Sequence, residues 1–255
     1  MSNELTVKQQ NQVSAELMAD WGAPKVSSKD IIIPKILPMQ GLSVAVAEGR
    51  ASMGEFRDSL NNNLMGNIND KPVHCIPFFL EKCWDVMQEQ ADGSFKWAKT
   101  VPVVENPLAP DYNDNWKWED EVQGLKVKNV RRFNFFVLIP SEVEAGTSIP
   151  YTMSFKSTSI KEGKKLLTQM YMRNIRAGLP PAAYTIKLGG TRQKNDKGIF
   201  IVPNFVSDRR ATDQELQECL YWIGMIKSGQ AKVDDSDVQG AADVEVTQAD
   251  GSGEF

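Results

Sequence analysis

Short apolar runs and two-residue alternation dominate the chain from about residue 73 onward. Val73 to Leu80 and Lys82 to Gln88 are apolar and aromatic, and the Asp92-Gly93 dipeptide that leads into Ser94 to Lys99 is a hairpin turn, so this stretch reads as a meander. Leu125 to Ile139 is the longest strand candidate and Ile149 to Lys156 the next. Ala183 to Leu188 and Gly198 to Val206 form a further pair, joined by the polar loop Thr191 to Lys197. The period changes between these strands. Ser159 and Glu162 match a capping box, and Gly178 and Pro180 supply a stop, so the pattern predicts a helix from Ile160 to Ala177. Its apolar face is Ile160, Leu167, Met170, Tyr171 and Ile175, and a second, largely cationic face carries Lys161, Lys165, Met172 and Arg176. Asp213 to Lys227 reads as a closing helix.

Upstream, residues 1–29 are rich in Gln, Asn and Ser apart from a short helix candidate, Val13 to Trp21, and are expected to form a mobile arm. Asp30 to Gln40, interrupted by Pro34 and Pro38, suits an edge strand, and Ser52 to Arg57 a short one. Asn106 to Asp120 mixes prolines, Trp116 and Trp118 with acids and reads as a surface insertion. The order of elements, three stretches of strand, one helix, then two strands, is that of a five-stranded OB barrel with its helix between strands 3 and 4. The expectation is therefore a mainly β, α+β domain at 30–228 with extra strands, a C-terminal helix and an insertion near 105–121. A flexible arm at 1–29 and a disordered acidic tail at 229–255 flank it.

Composition excludes several classes. No run approaches the 18 or more apolar residues of a membrane span, and Met1 to Gln12 is too polar for a signal peptide, which points to a cytoplasm. Cys75, Cys83 and Cys219 are odd in number and lack C-x-x-C spacing, so neither a disulfide framework nor a zinc knuckle is expected. His74 is the only histidine, which rules out chemistry that needs several imidazoles. Gly189-Gly190-Thr191 and Gly163-Lys164-Lys165 do not complete a phosphate-binding loop, and the acids Glu119, Asp120 and Glu121 fall in the insertion, where solvation explains them. Neither catalysis nor a cofactor or metal is expected.

The net charge of -4 hides a segregation. Leu125 to Arg210 holds sixteen Lys or Arg against five acids, a net +11, so the rest of the chain carries -15. Val233 to Phe255 has seven acids and no Lys or Arg. A basic stretch of this size attracts a polyphosphate and releases its counterions. A solvated basic surface beside an acidic terminus is the plainer explanation, so residue types must decide between the two.

A protein that binds single strands needs cations along the backbone and flat rings for exposed bases. Both occur in the basic stretch. Arg131, Phe133 and Phe135 share one strand face and Arg132, Asn134 and Phe136 the other, and alternation does not tell which face is core. Lys126 and Lys128 precede them. Tyr151 and Phe155 share a face of the next strand, opposite Lys156; the helix offers Lys161, Lys165, Arg173 and Arg176. Tyr184 and Lys187 lie on the first closing strand, and Arg192, Lys194 and Lys197 on the loop that follows. These residues are the candidate DNA contacts.

The tail closes as Asp250-Gly251-Ser252-Gly253-Glu254-Phe255, a terminal ring behind flexible glycines and acids. In this the chain resembles the single-stranded DNA-binding proteins of bacteria and phages. The bacterial type usually has Pro before the final Phe; Glu254 stands there, closer to the phage style. The resemblance implies that Asp250, Glu254 and Phe255 recruit replication proteins such as a polymerase, helicase or primase, and that the tail competes with DNA for the basic groove. It leaves self-association open, along with two rival functions: a strand-annealing recombination protein, and an adaptor for host transcription or assembly that binds no DNA.

Overall fold

A computed structural model of the chain describes residues 32–229, apart from 123, 196 and 197. The expected arm with its helix Val13 to Trp21, Lys197, and the tail with Asp250, Glu254 and Phe255 lie outside the described residues. Strands β1 (Ile36–Pro38), β2 (Glu55–Asp58) and β3 (Leu64–Asn67) form a three-stranded sheet, with the short helix α1 (Val44–Ala47) between the first two. Seven strands form the main sheet: β4 (Val73–Glu89), β5 (Phe95–Pro102), β6 (Glu119–Val122), β7 (Leu125–Leu138), β8 (Tyr151–Lys156), β9 (Tyr184–Asn195) and β10 (Gly198–Arg210). Helix α2 (Pro140–Ala145) follows β7 and α4 (Asp213–Lys227) follows β10. Between β8 and β9 runs α3 (Ile160–Leu167), which continues as a π-helical turn, Thr168–Asn174.

The mainly β expectation holds. The two short apolar runs after residue 73 are one strand of 17 residues, β4, which pairs antiparallel with β7 from Ile76↔Leu138 to Gln88↔Val127. A bulge between Pro77 and Phe79 accommodates the proline, which cannot donate to a ladder. The other edge of β4 is shared by β9 at Val73–Cys75 and by β5 from Cys83 to Glu89. The other edge of β7 is shared by β6 and β8.

The five-stranded OB barrel is not formed. Strands β8 and β10 do not pair, and the sheet stays open. Two local features account for this. Beyond Lys156 the chain turns away at Ser157, which has φ 47°, into a 3-10 turn and then α3. On β10 both backbone groups of Ile201 are already bonded to the Gln40 side-chain amide, at 2.7 and 3.0 Å. Two residues along the same edge, Pro203 has no N–H to offer.

Each face of the central ladder is covered. One face packs Phe133, Phe135 and Val137 with Tyr151, Met153 and Phe155, under Leu166 and Met170 of α3 and the π turn, and against Ile36 and Phe56 of the small sheet. The other packs Ile76, Phe78, Phe136 and Leu138 with Val143 of α2 and Cys219 of α4. Each fully buried Phe or Leu contributes roughly 1.5–3 kcal/mol.

The helix expected at Ile160 to Ala177 is present, but its details differ. Ser159 does not cap it: the hydroxyl accepts from the Lys156 amide and donates to the Lys156 carbonyl, closing the turn before the helix, while Glu162 pairs with Lys165. The buried positions are Gly163, Leu166, Met170 and Asn174, and Ile175 is turned outward, because the wider π turn shifts the phase of the apolar face. Helix α4 does have a capping box. The Thr212 amide donates to Glu215 Oε2 at 2.7 Å and Thr212 Oγ1 accepts from the Glu215 amide, while Arg209 Nη1 donates to Glu215 Oε2 at 2.8 Å.

Two outcomes follow from this packing. A Cβ on Gly163 would come within 2.8 Å of Phe155 Cβ and 3.1 Å of a Phe133 ring carbon. Gly163→Ala is therefore expected to lower stability by roughly 1–3 kcal/mol in chemical denaturation, despite the better helix propensity of Ala. At Glu215, burial alone would raise the carboxyl, but the hydrogen bonds from Arg209 and the Thr212 amide outweigh it and hold the group below the usual carboxylate range. A lowered folded-state pKa stabilises the fold above the ordinary value of about 4.3 and is lost as pH falls through the lowered one. Glu215→Gln should thus lower Tm at neutral pH, with the gap to the parent narrowing on acidification.

Candidate nucleic-acid interface

The rings expected to stack bases are core. Phe135 and Phe155 are 0% exposed, Phe133 3% and Tyr151 9%, and Phe135 and Phe155 meet edge to face at 5.7 Å. None offers a face to a base, which corrects the reading of these four as contact residues. The reason is that β7 is covered on both sides from Phe133 to Leu138, so neither of its faces is free. Tyr184 is half-buried, opposite Arg210 on β10.

The cations divide into two sets. Arg132 is 4% exposed and pairs at 3.1 Å with Asp85, itself 1% exposed; Lys156 adds a contact at 3.5 Å and Thr100 donates to the same carboxylate. Arg131 pairs with Asp114 at 2.8 Å and lies over the Trp84 ring. Lys126 and Lys128 meet Glu89 and Glu119, the latter on β6, so part of the acidic cluster is a cross-strand partner of β7 and not simply solvated. Lys165 pairs with Glu162, Lys187 with Asp208 and Arg209 with Glu215. Eight of the fifteen described cations between Leu125 and Arg210 are neutralised in this way.

The remaining seven, Lys161, Lys164, Arg173, Arg176, Arg192, Lys194 and Arg210, are exposed and make no ion pair among the described residues. Four lie on α3 and the π turn and its last residues, two on the far half of β9, and one at the end of β10. β4 begins at Val73, opposite Leu188, so from Gly189 onward β9 and its β10 partners leave it and run on as a two-stranded arm, held at Ile201 by the Gln40 side chain. The Gln169 side chain donates to Ser207 on β10 and ties the helix to the base of that arm. Met172 and Ile175, both about half exposed, interrupt the helix cations with apolar surface.

Sequence reasoning passed over Lys164 as a contact and over the rings of β5. Phe95 and Trp97 are half-buried on the β4–β5 hairpin, and Lys128 Nζ stands 4.2 Å from the Phe95 ring centroid. Register alone reveals that pair, because Lys128 and Phe95 meet only through β4. Other chemistry is scarce. Burial pushes the Cys75 thiol up to about 12, and burial followed by the charges of Glu215 and Glu218 does the same for Cys219, so neither is a thiolate nucleophile at neutral pH. Among the described residues, no group of three or more His, Cys, Asp or Glu could hold a metal ion, and no helix is long and apolar enough to cross a membrane.

A mainly β protein with one cationic helix and a cationic two-stranded arm is the class that fold and surface define. Its family is a bacteriophage one: residues 6–232 match the model of the Pam3 phage gp34-like proteins, and the chain belongs to that family. No curated protein and no solved structure matches it.

The two sets of cations should behave differently on truncation. Arg132→Ala leaves the Asp85 charge buried without its nearest cation and is expected to cost about 3–5 kcal/mol in urea denaturation. Lys164→Ala or Arg192→Ala should stay within about 0.5 kcal/mol of the parent.

Proposed function

We propose that this phage protein binds single-stranded DNA without sequence preference, with α3, its π turn and the β9–β10 arm as the phosphate-contacting surface. One observation carries the reading: of the described cations between Leu125 and Arg210, those without an ion pair among the described residues are concentrated on those two elements, where Glu162 is the only acid on the helix. Phosphate contacts hold a polynucleotide but carry no sequence information, which suits a nonspecific binder. The contact set is thus Lys161, Lys164, Arg173, Arg176, Arg192 and Lys194, with Lys165 as a helix cation paired to Glu162. Arg132 and the buried rings serve the fold. The tail residues Asp250, Glu254 and Phe255 take the recruiting role for replication proteins, and their charge opposes that of the helix.

The test is a titration with oligothymidine at several salt concentrations. Affinity is expected to fall steeply with salt, with a log-log slope of about -0.7 per neutralised phosphate. Replacing Lys164, Arg173 and Arg176 together by Glu should weaken binding and flatten that slope by about 2. The same change at Lys126 and Lys128, which face acids, should leave the slope close to the parent's. Equal sensitivity of the two sets, or no binding by the parent protein, would remove the proposal.

A further inference from the structure

An open cleft of about 430 Å³ lies beside the far end of β5, lined by Lys99, Val101 and Val104 and by Pro110, Tyr112 and Trp116 of the insertion. We infer that this cleft takes an unpaired base of single-stranded DNA, an assignment that rests on the binding function proposed above and locates its stacking subsite.

The insertion is built to hold its rings in place. Asn113, 3% exposed, accepts from the Val104 amide at 2.8 Å and donates to the Pro102 carbonyl at 3.0 Å. Its own carbonyl accepts from Trp84 Nε1 and from the Trp116 amide, both at 3.1 Å. Trp116 lies over the buried Trp84 ring, with centroids 6.2 Å apart and planes tilted by 31°. A wall fixed in advance loses little freedom when a flat ligand enters. Base stacking on such rings is indifferent to base identity.

Position and charge select this cleft. Trp84 pairs with Arg131 and Lys82 with Phe133 in the β4–β7 ladder, so Trp84 shares a sheet face with Phe133, against which Gly163 of α3 packs. Cleft and cationic helix therefore lie on one side of the sheet. The acids along the seam, Glu105 and Asp114, are ion-paired to Lys82 and Arg131. Lys99 is exposed and makes no ion pair among the described residues; Asp111 is the one acid that lines the cleft, which directs a phosphate toward Lys99. The larger cavity, about 670 Å³, sets the acids Asp58, Asp70, Glu142 and Glu144 against Lys71, His74 and an Arg209 already paired to Glu215, and so disfavours a polyanion.

The experiment compares oligothymidine with an abasic oligomer of the same length on the full chain. The parent should bind oligothymidine about tenfold more tightly. Tyr112→Ala should lose most of that preference with unchanged abasic affinity, and Tyr112→Phe should keep it. Lys99→Glu should weaken both ligands and flatten the salt slope by about 0.7. A Tyr112→Ala protein that keeps the full preference, or a Lys99→Glu protein with the parent's slope, overturns the cleft assignment while the phosphate surface stands. A parent that binds neither oligomer ends both.

Discussion

The antiparallel ladder between β4 and β7 is the constraint on which the remaining structure depends. It runs from Ile76↔Leu138 to Gln88↔Val127, and every other strand of the main sheet except β10 pairs directly with one of these two. Both of its faces are covered where the apolar residues fall, by α3 and the small sheet on one side and by α2 and α4 on the other. A ladder buried in this way must satisfy its polar groups internally. Asp85 and Arg132 do so across the strands, and Asn134 accepts a hydrogen bond from Ser154. Cations close to the ladder are therefore committed to the fold, and those free to meet a polyanion must lie on elements that stand off from it.

This explains the distribution of charge. The excess of +11 between Leu125 and Arg210 is not spread over the strands that contain much of it. Ion pairs with Asp85, Glu89, Asp114 and Glu119 neutralise the cations of β7, several of them through acids that lie well before Leu125 in the chain. What remains is carried by the helix segment from Lys161 to Arg176, by the arm and by the end of β10. A counterion-releasing surface there is small and depends on few side chains, so its salt response reflects a limited number of phosphates.

Much of this architecture was legible in advance, and the failures have physical causes. Asp92-Gly93 marks a real hairpin, with Gly93 at φ 79°, and the stretches around Ile160 and Asp213 are helical. Alternation could not show which rings of β7 are exposed, because from Phe133 to Leu138 none is; a strand with two covered faces has no polar side. Nor could composition separate Arg132 from Lys164, since the partner of Arg132 is fixed by β4–β7 register, 47 residues away. The Gln40 side chain that occupies the β10 edge at Ile201 lies 161 residues away in the chain, a contact with no local signature. The π turn, which displaces Ile175 from the apolar face, has no signature in the helix periodicity of the sequence.

The central claim is that the unpaired cations of α3 and the arm form the surface that meets a polynucleotide. Amide hydrogen exchange on the full chain, with and without oligothymidine, tests it most directly. Slowed exchange is expected across residues 160–177 and 191–195, and over the insertion on the α3 side of the sheet. Slowing confined to α2 and α4 on the opposite side, or none anywhere, would contradict it.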